Sequence, residues 1–344
     1  MFQAGAIVDR FEILDLLGSG AIADVYLVQD RVTGTRHALK VLVAMQHDAG
    51  QRLLREGAIQ FQLHHPNLVA VTDVIDVDGH PALVMEHVEG TTLEAVLAER
   101  GALPLAECLG IYRQLIAAVA MAHASGVLHR DLKPANILLT PGLDGFMVKV
   151  TDFGLAKVVA TAPAANGLTV QGMVLGSPGY MAPEQMDDAA KVDTRADVFA
   201  LGALLYQMLV GEAPFTGKNI GVTLRNTLTG TYTPLNQRMP GLPAHLSPIV
   251  ASCLAVDRTH RFADARALGR AIFGAEVDDL LPTAPTPLVQ ASAAPVEAVP
   301  TNVAPLPPAP APEGSEAPSR FPVLIVPLVL MVGAMIAAAV YFSG

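Results

Sequence analysis

The chain has 344 residues and sets 32 Asp and Glu against 22 Lys and Arg, a net charge of −10. With that balance and no basic stripe, nucleic acid is not an expected partner. The two cysteines, Cys108 and Cys253, have no C-x-x-C neighbour, which argues against a disulfide framework or a thiolate metal site and fits a reducing compartment.

Met1 to Asp9 lack the positive start and long apolar run of a signal peptide. Phe11-Glu12-Ile13-Leu14 and Val25-Tyr26-Leu27-Val28 read as the two strands of a hairpin. Leu17-Gly18-Ser19-Gly20-Ala21-Ile22-Ala23-Asp24-Val25 joins them through a glycine-rich stretch, where a missing Cβ allows close backbone approach. Ala38-Leu39-Lys40-Val41-Leu42 is a short apolar strand carrying one lysine. From Gln51 to His64, Leu54, Ala58 and Phe61 recur at helical spacing, and Glu56 lies within the segment. Gly57 beside it costs such a helix about 1 kcal/mol relative to alanine. Leu83-Val84-Met85-Glu86-His87-Val88 is an apolar strand that turns polar.

His129-Arg130-Asp131-Leu132-Lys133-Pro134-Ala135-Asn136 puts a carboxylate, an ammonium and an amide within six residues. Phosphoryl transfer needs a carboxylate to orient a hydroxyl and take its proton, a cation on the moving group, and oxygen ligands for Mg²⁺. Asp131, Lys133 and Asn136 fit those jobs in that order. Asp152-Phe153-Gly154 follows with a second carboxylate. The interval from Asp152 to Ala182-Pro183-Glu184 is rich in Gly, Ala, Thr and Ser and reads as a mobile loop.

These blocks, in this order from about Phe11 to about Phe273, resemble the protein kinases. The wording of Asp152-Phe153-Gly154-Leu155-Ala156-Lys157 and Gly179-Tyr180-Met181-Ala182-Pro183-Glu184-Gln185 resembles the eukaryotic-like (Hanks-type) kinases of bacteria. The resemblance implies that residues 17–25 cover the phosphates of ATP, with Ala23 where the family has a third glycine. It implies that Lys40 holds the α- and β-phosphates and pairs with Glu56. The backbone C=O of Glu86 and N–H of Val88 would meet the adenine edge, with Met85 behind it and Val25, Ala38 and Leu138 sandwiching the ring. Asn136 and Asp152 would hold Mg²⁺, with Mn²⁺ able to stand in. Asp197 would tie down the catalytic loop, and Arg261 would pair with Glu184. Lys133, two residues after Asp131, points to serine or threonine as acceptor. Arg130 implies control by phosphorylation in the activation segment, with Thr169 and then Thr161 as the expected acceptors and Ser177 contacting the catalytic loop.

Beyond about Ala275 the composition changes to Pro, Ala, Val and Thr, and prolines recur too often for helix or sheet. Phe321 to Phe342 carries no charge, and a helix of that length spans about 33 Å, enough for a hydrocarbon core of about 30 Å. Gly333, Ala334, Ala337 and Ala338 place small residues at the spacing of a helix-packing face.

The expected architecture is α+β: a two-lobed kinase-like fold over 9–274, with a mostly β small lobe (9–88) and a larger, mostly α lobe (89–274). A disordered linker (275–320) and one transmembrane helix (321–342) are expected to follow. The expected activity is transfer of the γ-phosphoryl group of ATP to Ser/Thr of proteins, including a second copy of the chain in trans. The expected place is the cell (inner) membrane, spanned once and contacting lipid through the C-terminal helix, with the kinase domain cytoplasmic. The chain stops two residues after its apolar segment, so a tail-anchored protein is expected, its signal arriving within the membrane or from a cytoplasmic partner. The competing reading is a membrane-anchored pseudokinase scaffold, disfavoured because Lys40, Asp131 and Asp152 are all present.

Overall fold

The computed structural model describes residues 2–20, 23–42, 61, 63–142, 145–153, 169–170, 173–174, 178–187 and 192–275. The linker and apolar segment therefore lie outside the described residues, as does nearly all of the helix expected over 51–64.

Six antiparallel strands build the first lobe: β1 (Ile7–Val8), β2 (Phe11–Ser19), β3 (Ala23–Asp30), β4 (Arg36–Leu42), β5 (Val71–Val77) and β6 (His80–Glu86). Their order across the sheet is β1-β2-β3-β4-β6-β5. Side chains alternate between the two faces of a strand, so one sheet makes two apolar clusters. Tyr26, Val28, Leu39, Val41, Ala82 and Val84 fall on one face with Phe11 and Ile13. Ala23, Ala38, Leu42, Leu83 and Met85 fall on the other, with Val25 packed against them. Lys40 shares the parity of Ala38 and Leu42, so the lysine belongs to this second face. The register sets Val25 opposite Lys40 and Ala38 opposite Met85. The hairpin strands run longer than the sequence suggested: Gly18 pairs with Val25 and Ser19 with Asp24, so much of the glycine-rich stretch is ladder.

The second lobe begins with β7 (Thr91–Thr92) and α1 (Leu93–Arg100), followed by α2 (Leu105–Ala124), β8 (Ile137–Gly142) and β9 (Gly145–Val150). Strands β7, β8 and β9 form a small antiparallel sheet. A short hairpin, β10 (Thr169–Val170) with β11 (Met173–Val174), precedes α3 (Pro183–Asp187), α4 (Thr194–Val210), α5 (Ile220–Thr229), α6 (Leu235–Arg238), α7 (Leu246–Cys253) and α8 (Ala265–Phe273). Helix α2 is long and apolar enough to cross a membrane, but most of it is buried in the fold, as in a core helix.

Helix α4 is apolar all round and is buried along almost its whole length, which suits a central helix. Asp193 caps its start by accepting from Arg195 N–H. Gly211, at φ 88°, ends it in the left-handed conformation, where a Cβ would also lie 2.9 Å from Ala102 N. Midway, a Cβ on Gly202 would stand 2.3 Å from Cys253 Cβ, so α4 and α7 meet only because Gly202 lacks one.

Candidate active site

The loop between α2 and β8 carries three candidate residues and is bent through Arg130, whose φ is 69°. A non-glycine residue there costs about 1–3 kcal/mol and persists only when its surroundings hold it. Asp197, buried on α4, accepts from His129 N–H and Arg130 N–H, each at 2.8 Å. Gln185 donates to the Arg130 carbonyl at 2.8 Å, so the bent residue is held at both ends. His123 on α2 donates from Nε2 to Asp197 Oδ2 at 2.9 Å. Burial pushes the Asp197 carboxyl up, but His123 and the loop N–H groups outweigh it and keep the carboxyl below its ordinary range.

His129 is fully buried and sets the next residues. Its Nδ1 accepts from Asp131 N–H at 3.3 Å and its Nε2 lies 2.9 Å from the Thr151 carbonyl, which assigns the proton to Nε2. Burial lowers its pKa, consistent with that neutral ring. The ring packs on Phe153, centroids 4.4 Å apart. One histidine thereby ties the Asp131 loop to the segment carrying Asp152.

Lys133 Nζ lies 2.7 Å from Asp131 Oδ2. Asn136, in a 3₁₀ turn over Pro134–Asn136, donates from Nδ2 to the Asp131 carbonyl at 2.8 Å and to Asp131 Oδ2 at 3.3 Å. With its nitrogen so engaged, the Asn136 amide oxygen is the end left for a cation. Asp152, at φ 67°, meets Lys40 Nζ at 2.6 Å. Burial pushes the Asp152 carboxyl up, and the charge and hydrogen bond of Lys40, with Lys133 further off, bring it below the ordinary range, so it is a carboxylate. Among the described residues no group of three or more His, Cys, Asp or Glu could hold a metal ion. One carboxylate and one amide oxygen fit a cation such as Mg²⁺, which completes its shell with water and phosphate oxygens.

Glu56, the expected partner of Lys40, lies outside the described residues, as do Ala21, Ile22, Gly154, Thr161 and Ser177. At Gly18 and Gly20 a Cβ would meet no protein atom closer than 3.6 Å, so internal packing does not demand these glycines. Asp24, expected beside a ligand, is buried and accepts from Ser19 Oγ at 2.6 Å and Tyr26 O–H at 3.2 Å. Its carboxylate shapes the hairpin tip. Val25 and Leu138 are half-buried and Ala38 and Met85 buried, on the strands described above. Glu86 and Val88 stand where β6 leaves the sheet. Thr169 takes part in the β10–β11 hairpin through its backbone.

The Ala182-Pro183-Glu184 block is fixed from below. Arg261, its side chain fully buried, makes paired contacts of 2.7 and 2.9 Å to Glu184 and donates to the carbonyls of Ala255, Arg195 and Val256. Tyr180 O–H donates to Gln207, and Thr227 on α5 donates to the Pro178 carbonyl at 3.2 Å. The sequence reading named Asp197 and Arg261 but missed His123, Gln185 and Thr227. Of these only His123 left a signal: it stands in the last turn of an apolar helix.

A sequence profile of the protein kinase domain matches residues 11–272. The chain belongs to the protein kinase family. Its kinase domain is 34% identical over 264 residues to the serine/threonine-protein kinase PrkC of Bacillus subtilis, covering 75% of this chain and 39% of that one. It is 35% identical over 271 residues to the serine/threonine-protein kinase pkn2 of Myxococcus xanthus, covering 77% and 32%. The chain thus spans about a third of the length of those relatives. Among solved structures, the PknI kinase domain of Mycobacterium tuberculosis superposes with a TM-score of 0.61 at 27% identity, over 81% of this chain and 100% of that one. Rad53 residues 1–466 in complex with AMP-PNP superpose with a TM-score of 0.62 at 29% identity, over 75% and 64%.

Proposed function

We propose that the chain is a working serine/threonine protein kinase that moves the γ-phosphoryl group of ATP to Ser or Thr hydroxyls of proteins. One observation carries this reading: Asp131, held by Lys133 and Asn136 in a loop clamped by Asp197, together with the Lys40–Asp152 pair. Asp131 orients the acceptor hydroxyl and takes its proton as the oxygen bonds to the γ-phosphorus and the bond to ADP breaks. Lys133 faces the negative charge of the moving group, and Lys40 holds the α- and β-phosphates. Asn136 and Asp152 are the residues that would hold Mg²⁺, with Mn²⁺ as substitute; a bound divalent cation neutralises phosphate charge. The AMP-PNP bound in Rad53 supports ATP as donor, and the two curated relatives support Ser/Thr as acceptor.

The same reading places Glu56 beside Lys40, and residues 17–25, Ala38, Glu86, Val88 and Leu138 around the nucleotide. It assigns 9–274 to the kinase domain, 275–320 to a linker and 321–342 to a single membrane helix that holds the domain on the cytoplasmic side of the cell membrane. Confinement of tethered copies raises their local concentration and favours phosphorylation in trans within the activation segment, at Thr169 or Thr161. Nucleic acid has no part in it.

Phosphosite mapping after incubation with ATP and MgCl₂, beside an Asp131→Asn control, tests the proposal. Phosphoserine and phosphothreonine that vanish in the control are expected. Phosphotyrosine as main product, or undiminished transfer by the control, overturns it.

A further inference from the structure

We propose that Lys149, a strand residue outside the catalytic loop, is a positioning residue that sets the nucleotide slot by tying its hinge to its floor. The inference rests on the reading of this cleft as an ATP site.

Lys149 interrupts the otherwise apolar strand β9. Its side chain is 16% exposed, and its ammonium lies 2.8 Å from each carboxylate oxygen of Glu86 and 3.4 Å from the Leu68 carbonyl. Glu86 is the last residue of β6, where the hinge begins. Its N–H donates to the Ala70 carbonyl at 2.8 Å, and its Oε2 accepts from Ala70 N–H at 3.3 Å. The intervening segment is itself stitched to β9: Val69 N–H donates to the Val150 carbonyl and Val150 N–H to the Asn67 carbonyl, each at 2.9 Å. Lys149 therefore reaches across residues 67–70 to close a bridge between β9 and the hinge. Directly opposite it in the β8–β9 ladder stands Leu138, the residue proposed as the floor under the ring. The hinge and the floor are thus bridged by one half-buried ammonium with a divided grip.

The pair is partly buried, with the Lys149 side chain 16% and the Glu86 side chain 34% exposed, so it lies between exposed pairs, which contribute little, and buried ones, whose loss leaves a charge unmet. Loss of Lys149 leaves Glu86 without its counter-charge at the point where the hinge backbone must stay in place. The catalytic loop has separate anchors in Asp197 and His129. The expected signature is weakened nucleotide binding with the chemical step retained.

The test uses the whole 344-residue chain in detergent, with ATP and MgCl₂ as the probe. Lys149→Met keeps the aliphatic stem and removes the charge. Its Kd by calorimetry and its KM for ATP should rise about tenfold while kcat at saturation stays within about twofold. Lys149→Arg, which keeps the cation, should recover most of the affinity. If Lys149→Met does not fold, Glu86→Gln breaks the same pair from the other end and should raise Kd alike. All measurements are made well below the melting temperature of each variant. A variant that melts earlier but binds ATP as the parent does makes the pair a plain support and overturns the inference alone. A parent chain that binds no ATP overturns it together with the kinase reading.

Discussion

Lys40 Nζ lies 2.6 Å from Asp152 Oδ1, although 112 positions separate them in sequence. The contact joins the sheet of the first lobe to the segment after β9, and it pairs the cation proposed to hold phosphates with the carboxylate proposed to hold metal. Lys40→Met strands that carboxylate and removes a preorganised donor, a change that typically costs about 10²–10³ in rate. Phosphate transfer to a protein substrate should fall by that much. A loss below about tenfold contradicts the role given to Lys40.

Asp131→Asn removes the proposed proton acceptor and leaves the loop anchors intact. General bases contribute about 10²–10⁴. Steady-state kinetics should show a fall in kcat of that size, with the KM for ATP little changed. A change confined to KM would move Asp131 from chemistry to binding.

Asp197→Asn keeps the shape but turns an amide NH₂ toward a ligand that is itself a donor, His129 N–H, Arg130 N–H or His123 Nε2–H. A buried donor left unmet costs about 1–3 kcal/mol. The thermal midpoint should drop and kcat should fall with it, because the strained Arg130 loses its hold. Unchanged kcat in a folded variant would show that the clamp serves stability only.

Arg261→Met leaves Glu184 without its partner. Breaking such a buried pair costs about 3–5 kcal/mol. Denaturant unfolding should show a loss of that order, partly recovered when Glu184→Leu is added. A loss under about 1 kcal/mol, the range of exposed pairs, would count against a buried bridge.

Acid should destabilise the fold in two windows. Burial lowers the His129 pKa from its ordinary 6.5, so the unfolded chain binds this proton more readily. Its contribution is complete above about pH 6.5 and declines as pH falls toward the folded value. Asp152 and Asp197 are lowered from an ordinary 3.8, so their contributions persist until pH falls through about 4 and below. Melting temperatures by circular dichroism should slope downward from pH 7 to 5 and more steeply below 4. A flat profile from pH 7 to 5 would mean that the buried ring does not resist protonation.

The grouping of Asp131, Lys133 and Asn136 was legible because it is local: they sit within six residues and meet through short-range bonds. Asp197 and Arg261 were legible only through the family resemblance, since their partners lie 68 and 77 positions away. Lys149 was not legible. A single lysine in a strand looks like a solvated charge, and only the fold brings Glu86 to it. The extent of the glycine-rich hairpin was misjudged for a similar reason: cross-strand pairing extends the ladder through Gly18, whose own propensity disfavours it.

The fit of Cys253 against Gly202 gives the chain a built-in gauge of its own opening. Burial pushes the Cys253 thiol well up and the Cys108 thiol up to about 12, so neither offers an appreciable thiolate near neutrality. They are the only cysteines in the sequence, and both belong to the core of the second lobe. An alkylating reagent added to the native protein must therefore wait for helices α2, α4 and α7 to part. The rate at which label accumulates then follows the breathing of that core, without an introduced dye and independently of events in the β-rich lobe.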